Sequence, residues 1–120
     1  GFPCRVSLRN AEIGERVLLL NYMHQPADTP FRSSHAIYVI DGADTADLGA
    51  GELPEVMISS PLLSVRAFDW TGMLRTAELV EGRLAAGVFN TLLARDDIAC
   101  LHVHFAKYGC FAARVVAVPV

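Results

Sequence analysis

Apolar and polar positions alternate with period two in several stretches of this chain. Cys4-Arg5-Val6-Ser7-Leu8-Arg9 sets Cys4, Val6 and Leu8 on one face, which predicts a half-buried strand. Residues 10–15 are polar and include Gly14, the composition of a turn. Arg16-Val17-Leu18-Leu19-Leu20-Asn21-Tyr22-Met23 is apolar on both alternating sets, as a central strand covered on two sides should be. Residues 24–34 hold Pro26, Asp28, Thr29, Pro30 and two serines, and predict a long loop of the kind that carries function. A strand follows over 35–40. Residues 41–54 are acidic and rich in Gly and Ala without a period, so a second surface loop is expected. Leu63-Ser64-Val65-Arg66-Ala67-Phe68 alternates, Thr71-Gly72 turns, and 74–80 alternates again.

The period changes once. Leu84, Val88, Phe89 and Leu92 recur at helical spacing, which predicts one main helix near 83–95. Gly82 and Gly87 lower its intrinsic propensity, so packing must hold it. Two more strands are expected near 98–105 and 110–118, joined through Lys107-Tyr108-Gly109 with Gly109 in a left-handed position. Many strands with one late helix predict an α+β fold: a single domain over 1–120, with a mostly antiparallel, curved sheet.

Composition narrows the picture. At 120 residues one core is feasible, because folding a chain of this size buries roughly 65% of its unfolded surface. The apolar fraction of 52% is high for a small domain and points to an oligomer interface or an apolar groove. Ten Lys and Arg against 13 Asp and Glu, with no basic stripe, argue against nucleic acid. The longest aliphatic run, Val17-Leu18-Leu19-Leu20, is far short of a membrane span. No secretory signal is visible, although the chain starts at Gly1 without Met and so leaves the native N-terminus open. Three cysteines, Cys4, Cys100 and Cys110, cannot all pair within one chain and match no zinc or redox spacing; reduced thiols in a cytoplasmic protein are the simpler expectation. Val115-Val116-Ala117-Val118 is apolar on both faces and is stopped by Pro119. Such an edge needs cover, so a homodimer is expected.

Candidate chemistry gathers in two places. His102 and His104 stand at i and i+2, on one face of a strand, with Cys100 on the same face. A metal would need a third ligand from Cys100, His35, His24 or Asp28, and spacing fixes none of them, so no metal or other cofactor is assigned. Cys110 shares a face with His104 in one hairpin register and not in the other. The second place is the loop His24-Gln25-Pro26-Ala27-Asp28-Thr29-Pro30-Phe31-Arg32-Ser33-Ser34-His35. Arg32 with the hydroxyls of Ser33 and Ser34 could hold a small anion; alternatively Arg32 pairs with Asp28 or Asp69 and the serines cap backbone groups. The candidate ligand-binding set is therefore Arg32, Ser33, Ser34, His35, His102, His104 and Cys110, and the loop is expected to approach the histidine strand.

The segments Gly1-Phe2-Pro3-Cys4-Arg5, Leu18-Leu19-Leu20-Asn21-Tyr22, His24-Gln25-Pro26-Ala27-Asp28 and Pro30-Phe31-Arg32-Ser33-Ser34-His35-Ala36-Ile37, with His102-Val103-His104-Phe105-Ala106-Lys107-Tyr108-Gly109-Cys110-Phe111 and Arg114, resemble the bacterial family known as domain of unknown function 1203. The resemblance implies a small bacterial domain, usually cytoplasmic, and transfers no activity. From the residues, three functional classes stand: a ligand-binding or protein-interaction module that forms a homo-oligomer, a small hydrolase or transferase using His102 and His104 with or without a metal, or a structural partner subunit with no small ligand.

Overall fold

The structure is a computed structural model that describes residues 3–43 and 52–117. Among these residues six strands form two separate sheets. β1 (Val17–Gln25) and β2 (Ser33–Ile40) make a two-stranded antiparallel hairpin. β3 (Leu63–Phe68), β4 (Leu74–Val80), β5 (Cys100–Phe105) and β6 (Phe111–Val115) make a four-stranded antiparallel sheet in the order β4-β3-β5-β6. A short helix, α1 (Glu55–Ile58), precedes β3. Between β4 and β5 a 3-10 turn over Gly82–Leu84 leads into the main helix, α2 (Ala85–Leu93). This is the expected α+β architecture, with an open sheet rather than a closed one.

Alternation along β3 and β5 sorts the larger sheet into two chemically different faces. Leu63, Val65, Ala67, Leu101 and Val103 are fully buried and pack with Val56, Met57, Ala85, Phe89, Leu92 and Ile98 from the helical side. Burying each large apolar side chain of this set contributes about 1.5–3 kcal/mol, which holds a helix whose propensity is poor. Ser64, Arg66, Phe68, Cys100, His102 and His104 lie on the opposite face, since Ser64 pairs with His104, Arg66 with His102 and Phe68 with Cys100. That face receives the hairpin: Tyr22 meets Phe111 at 5.9 Å between ring centroids, and His24 meets Phe111 at 4.9 Å.

Gly82 shows why the helix begins where it does. A Cβ there would stand 1.9 Å from the Met57 carbonyl and 2.6 Å from that of Ser60. Its amide donates to the Ser60 carbonyl at 3.0 Å, so the start of the 3-10 turn is pressed against the end of α1. Only a residue without a side chain fits this approach.

Several expectations need correction. Residues 4–9 do not form a strand. The Leu8 amide donates to the Cys4 carbonyl at 2.9 Å and Leu8 takes φ 56°, so the segment turns; only single bridges tie Pro3 to Asn10 and Cys4 to Tyr38. The stretch expected as a central strand is the outer strand of the hairpin. Leu18, Leu19, Leu20, Tyr22 and Met23 are all exposed. The loop after it is shorter than expected, because strand pairing runs to Gln25 and resumes at Ser33. α1 is too short for its period to show in sequence. Most of the expected loop over 41–54 and the end of the apolar segment 115–118 lie outside the described residues, while β6 itself stops at Val115. No helix among the described residues is long and apolar enough to cross a membrane.

The hairpin between β5 and β6 combines both registers that the sequence left open. His104 pairs with Phe111, but Val103 pairs with Ala113 and His102 with Arg114, so Ala112 is a bulge. Gly109, at φ 77°, closes the turn in the left-handed region.

Candidate functional site

All four histidines of the chain meet between the hairpin and the larger sheet. His24 comes from β1 and His35 from β2; His102 and His104 come from β5. Ring centroids separate His24 from His35 by 4.9 Å, from His104 by 4.9 Å and from His102 by 6.0 Å, and His35 from His104 by 5.6 Å. The register shift in β1 between Tyr22 and Gln25 turns His24 inward beside His35. Phe111 and Phe68 wall the cluster, with Phe68 4.7 Å from His102.

Hydrogen bonds fix part of the proton inventory. His24 Nε2 and His35 Nδ1 are 2.8 Å apart in nearly parallel rings, so the rings meet edge to edge through a shared hydrogen bond. Ser33 Oγ is 3.5 Å from the same His24 nitrogen and donates to the Phe31 carbonyl at 3.1 Å. His104 Nδ1 lies 2.7 Å from the Gly109 carbonyl. A carbonyl only accepts, so Nδ1 carries the proton and the neutral ring keeps its lone pair on Nε2. His24 Nδ1 and His102 Nδ1 are buried without a hydrogen-bond partner among the described residues. Buried polar atoms in that condition are rare and call for an explanation.

Burial dominates the electrostatics. It pushes His24 and His102 down to about 4 and His104 to about 3, so all three are neutral at pH 7. Neighbouring basic groups act in the same direction whenever they are charged: His35 and Arg66 on His24, His24, Arg114 and Arg66 on His102, and Arg66, His24 and His35 on His104. The Gly109 carbonyl opposes the shift of His104. Arg66 is half-buried, and burial lowers its own pKa. Its Nε donates to Ser64 Oγ at 3.3 Å. Among the described residues no carboxylate pairs with Arg66 or with any of the four histidines. The face is therefore rich in nitrogen and poor in negative charge.

The residues singled out from sequence divide. His35, His102 and His104 come together, with Ser33 beside His24. Arg32 and Ser34 are exposed. Ser34 alternates away from the cluster between Ser33 and His35. Asp69 is not available to Arg32, because it accepts from Thr71, Met73 and Arg75, the last at 2.8 Å. Cys110 is half-buried and its carbonyl accepts from the Phe105 amide, which places it opposite Phe105 and off the face of His104. Cys100 shares the histidine face but pairs with Phe68. All three cysteines are free. Sequence reasoning named His24 as a possible third metal ligand and as the start of the loop but left it out of the candidate set; Phe111 and Arg114 were named without a role in the site, and Arg66 was missed. The available signal was Arg66 itself, a charge between Val65 and Ala67 in an otherwise apolar strand.

The rings do not form a ready metal centre. No group of three or more His, Cys, Asp or Glu among the described residues is disposed to hold an ion. A separate cavity of about 250 Å³, lined by Ser7, Arg9, Glu15, Ile40 and Asp41, lies at the far end of β2 and contains none of the candidate residues.

Comparison with known proteins gives one match. A family model described as "Protein of unknown function (DUF1203)" covers residues 1–116, nearly the whole chain. No curated protein and no solved structure matches.

Proposed function

The chain belongs to this family of unknown function, so its role must come from the site, and we propose that it is a small binding domain for an anionic ligand. The ligand would dock where Arg66, Arg114 and His35 border the buried histidines. The observation that carries this reading is the half-buried Arg66 set opposite His102, with no described carboxylate to balance it. A half-buried guanidinium without a counter-ion has lost part of its hydration, and an anion offsets that loss. Charge-assisted hydrogen bonds from Arg66 supply affinity. The neutral histidines supply N–H donors. Burial of three rings also argues for a binding site rather than for acid–base chemistry near pH 7, because groups at about 3 to 4 are poorly matched to that task.

The four histidine ring signals make NMR the natural test. Titration with sulfate should move the ring signals of His35 and His102 and the side-chain signal of Arg66. Shifts confined to Arg32 and Ser34, or a response to zinc ions with none to any small anion, would overturn the proposal.

A further inference from the structure

We infer that the outer edge of β1 is a self-association edge, paired antiparallel with β1 of a second copy. Four observations converge on it. First, among the described residues β1 pairs only with β2, so its other edge has unpaired backbone groups. Second, two hairpins joined edge to edge make a four-stranded sheet, in which the open backbone groups of β1 gain partners. Third, both faces of the strand are apolar and exposed: Leu18, Leu20 and Tyr22 on one, Leu19 and Met23 on the other, with Leu19 at 63%.

The fourth observation separates this edge from the others. Edge strands usually defend themselves with charge, proline or a bulge. β4 carries Arg75 and Glu78, β6 carries Arg114 and a bulge, and the outer side of β2 is covered at Tyr38 by a bridge to Cys4 and by the Arg5 amide. Residues 17–23 of β1 carry no charge and no proline, and their pairing with β2 is regular as far as Tyr22. A second copy fits by charge. A twofold axis centred on Leu20 sets Leu19 against Asn21, Leu18 against Tyr22 and Val17 against Met23. It brings Arg16 against the neutral His24, so no like charges face each other across the pair.

Sedimentation velocity on the whole chain tests this at about 50 µM, where a dimer with a dissociation constant of about 1 µM holds about nine-tenths of the chains. The wild type should sediment as a dimer. L19K should be mostly monomeric at the same concentration, its dimer dissociation constant raised at least about 500-fold. L79K, equally exposed at 65% on β4, should remain dimeric. A monomeric wild type, or an L19K dimer as tight as the wild type, would overturn the inference. Amide exchange needs no variant: in the wild type, protection of residues 17–23 should rise between about 1 µM and about 200 µM. Protection independent of concentration would contradict it.

Discussion

His24 and His35 share a hydrogen bond of 2.8 Å across the hairpin, although their strands are not in register at those positions. The irregularity in β1 after Tyr22 makes this pair possible and turns an imidazole of the outer strand into the interior. Removing His35 leaves His24 Nε2 with only the long 3.5 Å contact to Ser33 Oγ, beside an Nδ1 that already lacks a partner. H35A should lower unfolding free energy by about 1–3 kcal/mol, the usual cost of orphaning a buried polar group. Urea denaturation measures it, and a double H24F/H35A variant should lose less than the two single losses combined.

Acid should weaken the fold in a defined window. In the unfolded chain a histidine titrates near 6.5, whereas burial holds His24 and His102 at about 4 and His104 at about 3. Above pH 6.5 both states are neutral and the contribution is constant. As pH falls below 6.5 the unfolded state takes up protons first, so stability drops, and it stops dropping once the folded state also protonates near 4 to 3. Each group contributes about 1.4 kcal/mol per unit of depression as an upper bound. Thermal unfolding between pH 7.5 and 4.5 should show the fall, and H102F should flatten the curve.

Two glycines on either side of the helix start should respond oppositely to the same change. G82A drives a methyl into the Met57 and Ser60 carbonyls and should cost more than about 3 kcal/mol. G87A meets nothing within 4 Å and should raise stability by about 0.5–1 kcal/mol, the usual gain from alanine in a helix. Chemical denaturation of both variants checks the packing of α1 against the 3-10 turn.

What sequence revealed follows the strength of each local signal. β3 and α2 were legible because strict alternation over 63–68 and helical spacing of Val88, Phe89 and Leu92 coincide with real burial. β1 misled because apolar residues on both faces read as a covered central strand, yet here they remain exposed at an edge. The segment 4–9 alternates perfectly but turns at Leu8, since alternation says nothing about which strand is available to pair. The histidine site was half legible. His102 and His104 share a face by periodicity alone, and proximity of the loop to β5 was expected. His24 could be placed only once the irregularity in β1 was known. Arg66, opposite His102 through cross-strand register, required the sheet order.

The most direct test is calorimetric titration of sulfate, which keeps its charge across the range, into the wild type, R66Q and R32Q at pH 7.5 and 6.0. Wild-type affinity should be nearly the same at the two pH values, because burial keeps His24, His102 and His104 neutral at both and Arg66 carries the charge that holds the anion. R66Q should bind about 10–100-fold more weakly, the worth of a charge-assisted hydrogen bond. R32Q, altered at an exposed residue away from the cluster, should bind like the wild type. Sulfate binding lost in R32Q and retained in R66Q, or no measurable binding to the wild type at either pH, would contradict an anion site at the histidine cluster.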